Sequence, residues 1–187
     1  HGHMEAVGYD MYCKMLNEAV KHLKGEMEEE TYMTTLDLNV DAYIPDSYIP
    51  NEYQKLDIYK RIAAIENEEE KDDMAEELTD RFGDIPRKVE KLLEAASLKA
   101  MAHRVYVTAV EQKGESYYFT MYEKAKIQSQ KIPELMKKFN GELSIKADTS
   151  NPCFVYERKG KNKKDKSSDA LSVVKNVLIE MKGLLEP

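Results

Sequence analysis

The chain has 187 residues, 28 Lys and Arg against 35 Asp and Glu, and a net charge of −7. Apolar residues make up 42% and charged residues 34%; that is enough for a packed core, while no apolar run nears the ~20 residues needed to span a bilayer and no secretory segment opens the sequence. The acidic balance argues against a whole-surface nucleic-acid binder and leaves room for a local basic patch.

A length of this order suits one domain, or one domain with an appendage. Cys13 and Cys153 stand far apart, each without a second cysteine nearby. That usage fits a reducing, cytosolic protein better than a disulfide scaffold or a zinc site.

His1–Met4 reads equally as native chain or expression tag and is left out of the fold argument. From Val7, Tyr9, Tyr12, Cys13, Leu16, Ala19, Val20 and Leu23 recur at helical spacing, and Gly25 ends the pattern behind Lys21, His22 and Lys24. Residues 1–25 are therefore expected to form a helix whose apolar stripe wants a partner. Residues 26–35, with Glu26, Glu28, Glu29 and Glu30 close together, read as a solvated acidic linker. Thr35 to Ile44 alternates cleanly, with Leu36, Leu38, Val40, Ala42 and Ile44 on one face, which predicts a half-buried strand ended by Pro45. Asn51 then caps a helix to Ile65, with Tyr53, Leu56, Tyr59 (or Lys60), Ile62 and Ala63 expected inward.

Glu66 to Asp80 is the most acidic stretch, yet Met74, Ala75, Leu78 and Phe82 keep helical spacing, so an amphipathic helix with an acidic outer face is expected, terminated by Gly83. Asp84 is the expected cap of the next helix, with Pro86 in its first turn and Val89, Leu92, Leu93, Ala96, Ala100 and Met101 inward. The second half changes character. Val105–Val110 and Tyr117–Met121, joined through Lys113-Gly114-Glu115, read as a hairpin. A short helix at Ile132–Phe139, strands at Leu143–Ile145 and Phe154–Tyr156, a basic loop at Arg158–Lys166 and a last helix at Ser168–Leu185 follow. Helices first and a small, mostly antiparallel sheet afterwards define an α+β fold.

Neither a G-x-x-x-x-G-K-[ST] loop nor G-x-G-x-x-G is present, so no phosphate cradle is expected. His22 and His103 are isolated, the carboxylates of 66–80 do not form a calcium loop, and no Ser or Cys is marked as a nucleophile. Catalytic residues, metal ligands and cofactor-binding residues are thus not expected in this chain. Arg158, Lys161, Lys163, Lys164 and Lys166 are the candidate phosphate contacts; a solvated hairpin tip is the plainer account of the same lysines.

The stretches Asp37-Leu38-Asn39-Val40-Asp41-Ala42-Tyr43-Ile44-Pro45-Asp46-Ser47-Tyr48-Ile49-Pro50, Lys55–Ala63 and Glu77-Leu78-Thr79-Asp80-Arg81-Phe82-Gly83-Asp84-Ile85-Pro86 closely resemble the C-terminal domain of the bacterial transcription-repair coupling factor, Mfd. Gly8–Leu16 is similar to the tail of the translocase module that precedes it. The resemblance implies residues 1–25 as that tail, 26–35 as an interdomain linker and 36–187 as the C-terminal regulatory domain.

It further implies a cytoplasmic, multidomain parent that binds ATP and magnesium, moves on DNA, displaces stalled RNA polymerase and recruits excision repair through UvrA. The last domain implied is non-catalytic: it docks on the N-terminal repair-recruiting module and masks UvrA binding until polymerase is engaged. No membrane partner is implied. Arg61, Glu69, Asp73, Glu76, Arg81 and Arg87 are the candidate partner contacts, and Tyr43, Tyr48 and Tyr59 read as packing residues. The alternative is an accessory nucleic-acid-binding domain that grips duplex through residues 158–166.

Overall fold

The computed structural model describes residues 32–146, 152–158 and 169–187. The expected N-terminal helix, the acidic stretch up to residue 31 and most of the basic loop lie outside the described residues. The chain forms two compact units, one containing Val40–Ala100 and the other Thr34–Asn39 with Met101–Pro187.

The first unit is helical: α1 (Glu52–Ala63), α2 (Glu68–Phe82) and α3 (Arg87–Arg104), the last belonging to this unit as far as Ala100. Asn51 caps α1 as expected, its side chain accepting from Gln54 N at 3.0 Å. Asn67 does the same for α2, accepting from Glu70 N at 2.8 Å, while Glu68, Glu69 and Glu70 sit at the positive end of the helix. Gly83 ends α2 with φ 88°, which favours glycine, but its ψ of −166° lies outside the left-handed helical well. The expected Asp84 cap is not formed. α3 begins at Arg87, and Glu90 N donates at 3.0 Å to the carbonyl of Pro86, whose fixed φ sets the entry into the helix.

Ile44, Ile49, Ile58, Ile62, Met74, Leu78, Val89 and Leu92 fill the core of this unit. The inward face of α1 differs from expectation. Tyr59 and Ile62 are buried as expected, but Tyr53 is 85% and Leu56 48% exposed, and Ile58 is buried in their place. Tyr53 and Ile62 are nine residues apart, which at ~100° per residue puts them on opposite sides of the helix. Tyr59 decides which side faces inward, because its hydroxyl accepts the buried Ile44 N–H at 2.9 Å. Tyr43 and Tyr48 are packing residues too. Lys88 Nζ donates to Tyr43 Oη at 2.6 Å. Tyr48 Oη donates toward the carbonyls of Gly83 (2.9 Å) and Leu78 (3.1 Å), with its ring 5.9 Å from Phe82.

The second unit holds a five-stranded sheet in the order β1-β2-β3-β5-β4, formed by β1 (Thr35–Asp37), β2 (Val107–Lys113), β3 (Ser116–Met121), β4 (Leu143–Lys146) and β5 (Cys153–Glu157). Only β1 runs parallel to its neighbour; the other pairings are antiparallel. β2 and β3 meet in a two-residue turn with Gly114 at φ 63°. Val110, Phe119, Phe154 and Leu143 are buried, as are Leu171, Val174, Val177 and Leu178 on the last helix, α5 (Ala170–Met181). α4 (Ile132–Lys138) carries Pro133 in its first turn, as expected.

The result is the anticipated α+β fold. The strand expected over Thr35–Ile44 is cut to three residues. Burial still alternates through Ala42, but beyond β1 the backbone finds side chains in place of a strand: Asn39 N donates to Gln112 Oε1 at 2.9 Å and Ile44 N to Tyr59 Oη. The alternation records a half-buried extended segment, and the sheet claims only its start.

Candidate interaction surface

The core positions Met74 and Leu78 fix the rotation of α2. Glu69, Asp73, Glu76 and Asp80, spaced by four, three and four, therefore share one outward stripe, a ridge about 16 Å long at 1.5 Å per residue. All four are exposed. Asp73, Glu76 and Asp80, together with Glu77, line a shallow surface concavity.

Of the other carboxylates of α2, Glu68, Glu70 and Glu77 are engaged. Glu68 accepts from Ser97 Oγ at 2.7 Å and pairs with Lys71 at 2.7 Å, and Lys71 reaches Glu94 at 3.0 Å, so these groups tie α2 to α3. Glu70 accepts the Glu66 N–H at 2.8 Å. Glu77 is the hub of a small network. It takes both terminal nitrogens of Arg61, Nη2 at 2.7 Å, and Nη1 of Arg81 at 3.1 Å. The hydrogen bonds from Arg61 hold its carboxyl down at about 2, against the opposing effect of burial and with further help from Arg81. The same contact with Glu77 raises the Arg61 guanidinium. Arg81 also lies over the Phe82 ring, 4.9 Å from its centroid.

Among the described residues, Glu69, Asp73, Glu76 and Asp80 have no hydrogen-bond or ion-pair partner. No group of three His, Cys, Asp or Glu side chains among the described residues is arranged to hold a metal ion. A line of solvated carboxylates on a helix anchored by its neighbours can accept ion pairs from a basic surface, at about 0–1 kcal/mol each when exposed.

Of the candidates read from the sequence, Glu69, Asp73 and Glu76 fall on this ridge, joined by Asp80 from the same acidic stretch. Arg61 and Arg81 are brought together through Glu77, which had not been singled out. The four-residue spacing of Glu77 and Arg81 was a usable signal; the 16-residue separation from Arg61 was not. Arg87 stands apart from that hub, pairing with Glu90 on its own helix at 3.5 Å.

Arg158, at the end of β5, is half-buried, and its charge eases the raised phenols of Tyr117 and Tyr156. Burial, then the Glu142 carboxylate that accepts its hydroxyl at 2.8 Å, pushes Tyr156 up to about 12. Lys161, Lys163, Lys164 and Lys166 lie outside the described residues. Cys153 is a buried free thiol, its pKa raised by that burial.

Fold and surface together define an α+β domain whose helical unit carries an exposed acidic ridge beside an arginine–glutamate network. Residues 38–132 match the family model described as the TRCF domain, just over half of the sequence, and the chain belongs to that family. It is 32% identical over 180 residues to the transcription-repair-coupling factor of Bacillus subtilis, covering 95% of this chain and 15% of that protein. With the same factor from Staphylococcus haemolyticus it shares 42% identity over 127 residues, 67% of this chain and 11% of the relative. The chain thus spans a small part of the length of these relatives. A crystal structure of the C-terminal domain of transcription-repair coupling factor superposes with a TM-score of 0.63 at 28% identity, covering 81% of this chain and 94% of that one.

Proposed function

We propose that this chain is the non-catalytic, autoinhibitory domain of a transcription-coupled repair translocase. In this reading it docks on the repair-recruiting module of its parent and masks the surface that binds UvrA. Engagement of RNA polymerase releases it. ATP with magnesium, and DNA, belong to other parts of the parent.

The observation that carries the proposal is the ridge of Glu69, Asp73, Glu76 and Asp80, four carboxylates held in line on a braced helix and without a partner among the described residues. Charged intrachain interfaces of this kind release readily. Keeping a population about 99% closed takes about 2.7 kcal/mol, since each ~1.4 kcal/mol is tenfold. A few exposed ion pairs at about 0–1 kcal/mol each reach that sum, and a competing partner can overturn it.

Reversing the ridge with Asp73→Lys, Glu76→Lys and Asp80→Lys in the intact parent tests the reading. All three side chains are exposed, so the fold tolerates the change. Raised UvrA binding and raised basal ATP hydrolysis are expected; a parent unchanged in both contradicts the proposal.

A further inference from the structure

The outward face of α1 joins the network described above through Arg61, and it carries Tyr53 and Leu56, the two large apolar side chains most open to solvent among the described residues of this unit. Tyr53 is 85% and Leu56 48% exposed. One exposed apolar side chain needs no explanation, since folded surfaces contain many. Three further facts single out this pair.

The first is continuity. Tyr53, Asp57 and Arg61 follow at four-residue spacing on one side of α1, and the Asp57 charge acts on the Arg61 guanidinium. Arg61 is bound to Glu77 on α2, whose neighbours Asp73, Glu76 and Asp80 form the ridge. An apolar spot, an ion-pair hub and an acidic ridge thus adjoin one another across two neighbouring helices. The second is charge. Glu52 and Asp57 are exposed beside Tyr53, as are Lys60 and Arg61, so the α1 face is mixed in sign and the net acidic character of the joint surface comes from the ridge. A partner that covers both needs basic side chains around an apolar socket. A second copy of this chain is a poor fit, because a self-complementary contact through this face would bring two acidic ridges together. The third is the length of chain available. The matched region is 15% and 11% of the two relatives, so most of their polypeptide lies elsewhere and can supply such a socket.

We propose that Tyr53, supported by Leu56, is the apolar anchor of the docking face and seats in an apolar, basic-rimmed socket on part of the parent polypeptide outside this chain. The inference rests on the docking function proposed above and identifies the residue that holds the interface. An aromatic anchor ringed by polar contacts is the usual anatomy of an energetic hot spot. Tyrosine suits it because a large rigid ring is fixed at the loss of only two torsions. The ridge then speeds encounter and selects the partner, and the ring slows departure.

The test is titration calorimetry of the 187-residue chain against the rest of the parent polypeptide, expressed without these residues. The expected results are measurable binding by the wild-type chain, about tenfold or greater weakening by Tyr53→Ala, and a smaller loss with Leu56→Ala. Tyr53→Phe should bind like wild type, because the ring supplies the contact. Circular dichroism of each variant should match wild type, given how little of Tyr53 is covered.

Wild-type binding that both alanine variants retain overturns this inference and leaves docking through the ridge standing. Absence of wild-type binding overturns the docking function and this inference with it. A Tyr53→Phe variant as weak as Tyr53→Ala rules out an apolar socket. If sedimentation reveals a dimer that Tyr53→Ala dissolves while parent binding is unchanged, the occupant is a second copy and the proposal fails.

Discussion

Replacing Glu77 with glutamine removes the charge that joins Arg61 of α1 to Arg81 of α2 and keeps the shape of the side chain. Its carboxyl is held at about 2, against an ordinary value of 4.5. A gap of about 2.5 units corresponds to an upper bound of about 3.4 kcal/mol, at ~1.36 kcal/mol per unit. The side chain is 34% exposed, however, and water and salt screen such pairs strongly. The expected loss for Glu77→Gln at neutral pH and low salt is therefore about 1 kcal/mol.

The pH dependence has a definite direction. A carboxyl depressed in the folded state contributes its full stability above its unfolded value and loses it as pH falls through the folded one. Wild type should exceed the variant by a constant margin down to about pH 4.5, and the margin should close as pH approaches 2. Urea unfolding followed by circular dichroism at several pH values measures it, since α1, α2 and α3 supply much of the helical signal. A variant as stable as wild type at pH 7, or a margin that does not shrink in acid, would refute the reasoning.

Tyr48→Phe removes the hydroxyl that donates to the carbonyls of Leu78 and Gly83 and should cost about 1 kcal/mol, with faster amide exchange confined to the last turn of α2. Asn67→Ala should also cost about 1 kcal/mol by uncapping α2, with faster exchange in its first turn. At the alkaline end, Tyr156 is raised to about 12, so its contribution is whole below pH 10 and lost as pH rises through 12; Tyr156→Phe should remove that decline in unfolding measurements. For the basic loop, titrating the chain with duplex DNA at rising salt is decisive: docking predicts weak binding, whereas micromolar affinity that falls steeply with salt and vanishes when Lys161, Lys163, Lys164 and Lys166 are neutralised would favour a nucleic-acid role.

Much of the helical unit was legible because its signals are local. Asn51 caps its helix through a neighbour three residues away, and Gly83 supplies the positive φ that ends α2. Met74 and Leu78 announce the buried face of α2 by spacing alone, and with it the outward direction of Glu69, Asp73 and Glu76. The sequence misled where a distant partner decides. Tyr53 and Leu56 fit a helical apolar stripe as well as Ile58 does, and the choice between them is made by the bond from Ile44 N to the Tyr59 hydroxyl. Period-two burial through Ala42 looked like a long strand because a half-buried extended chain alternates whether or not it is paired. The Arg61–Glu77 contact depends on how two helices pack, which no local pattern encodes. The strand order β1-β2-β3-β5-β4, with β1 parallel to β2, is likewise set by long-range pairing.

The account turns on one claim, that this domain covers a surface of its parent and withholds it from a repair partner. The most direct measurement is the affinity of UvrA for the parent with and without residues 36–187, made in the absence of polymerase. The account predicts markedly tighter binding once those residues are removed. Equal affinity for the two proteins would contradict it.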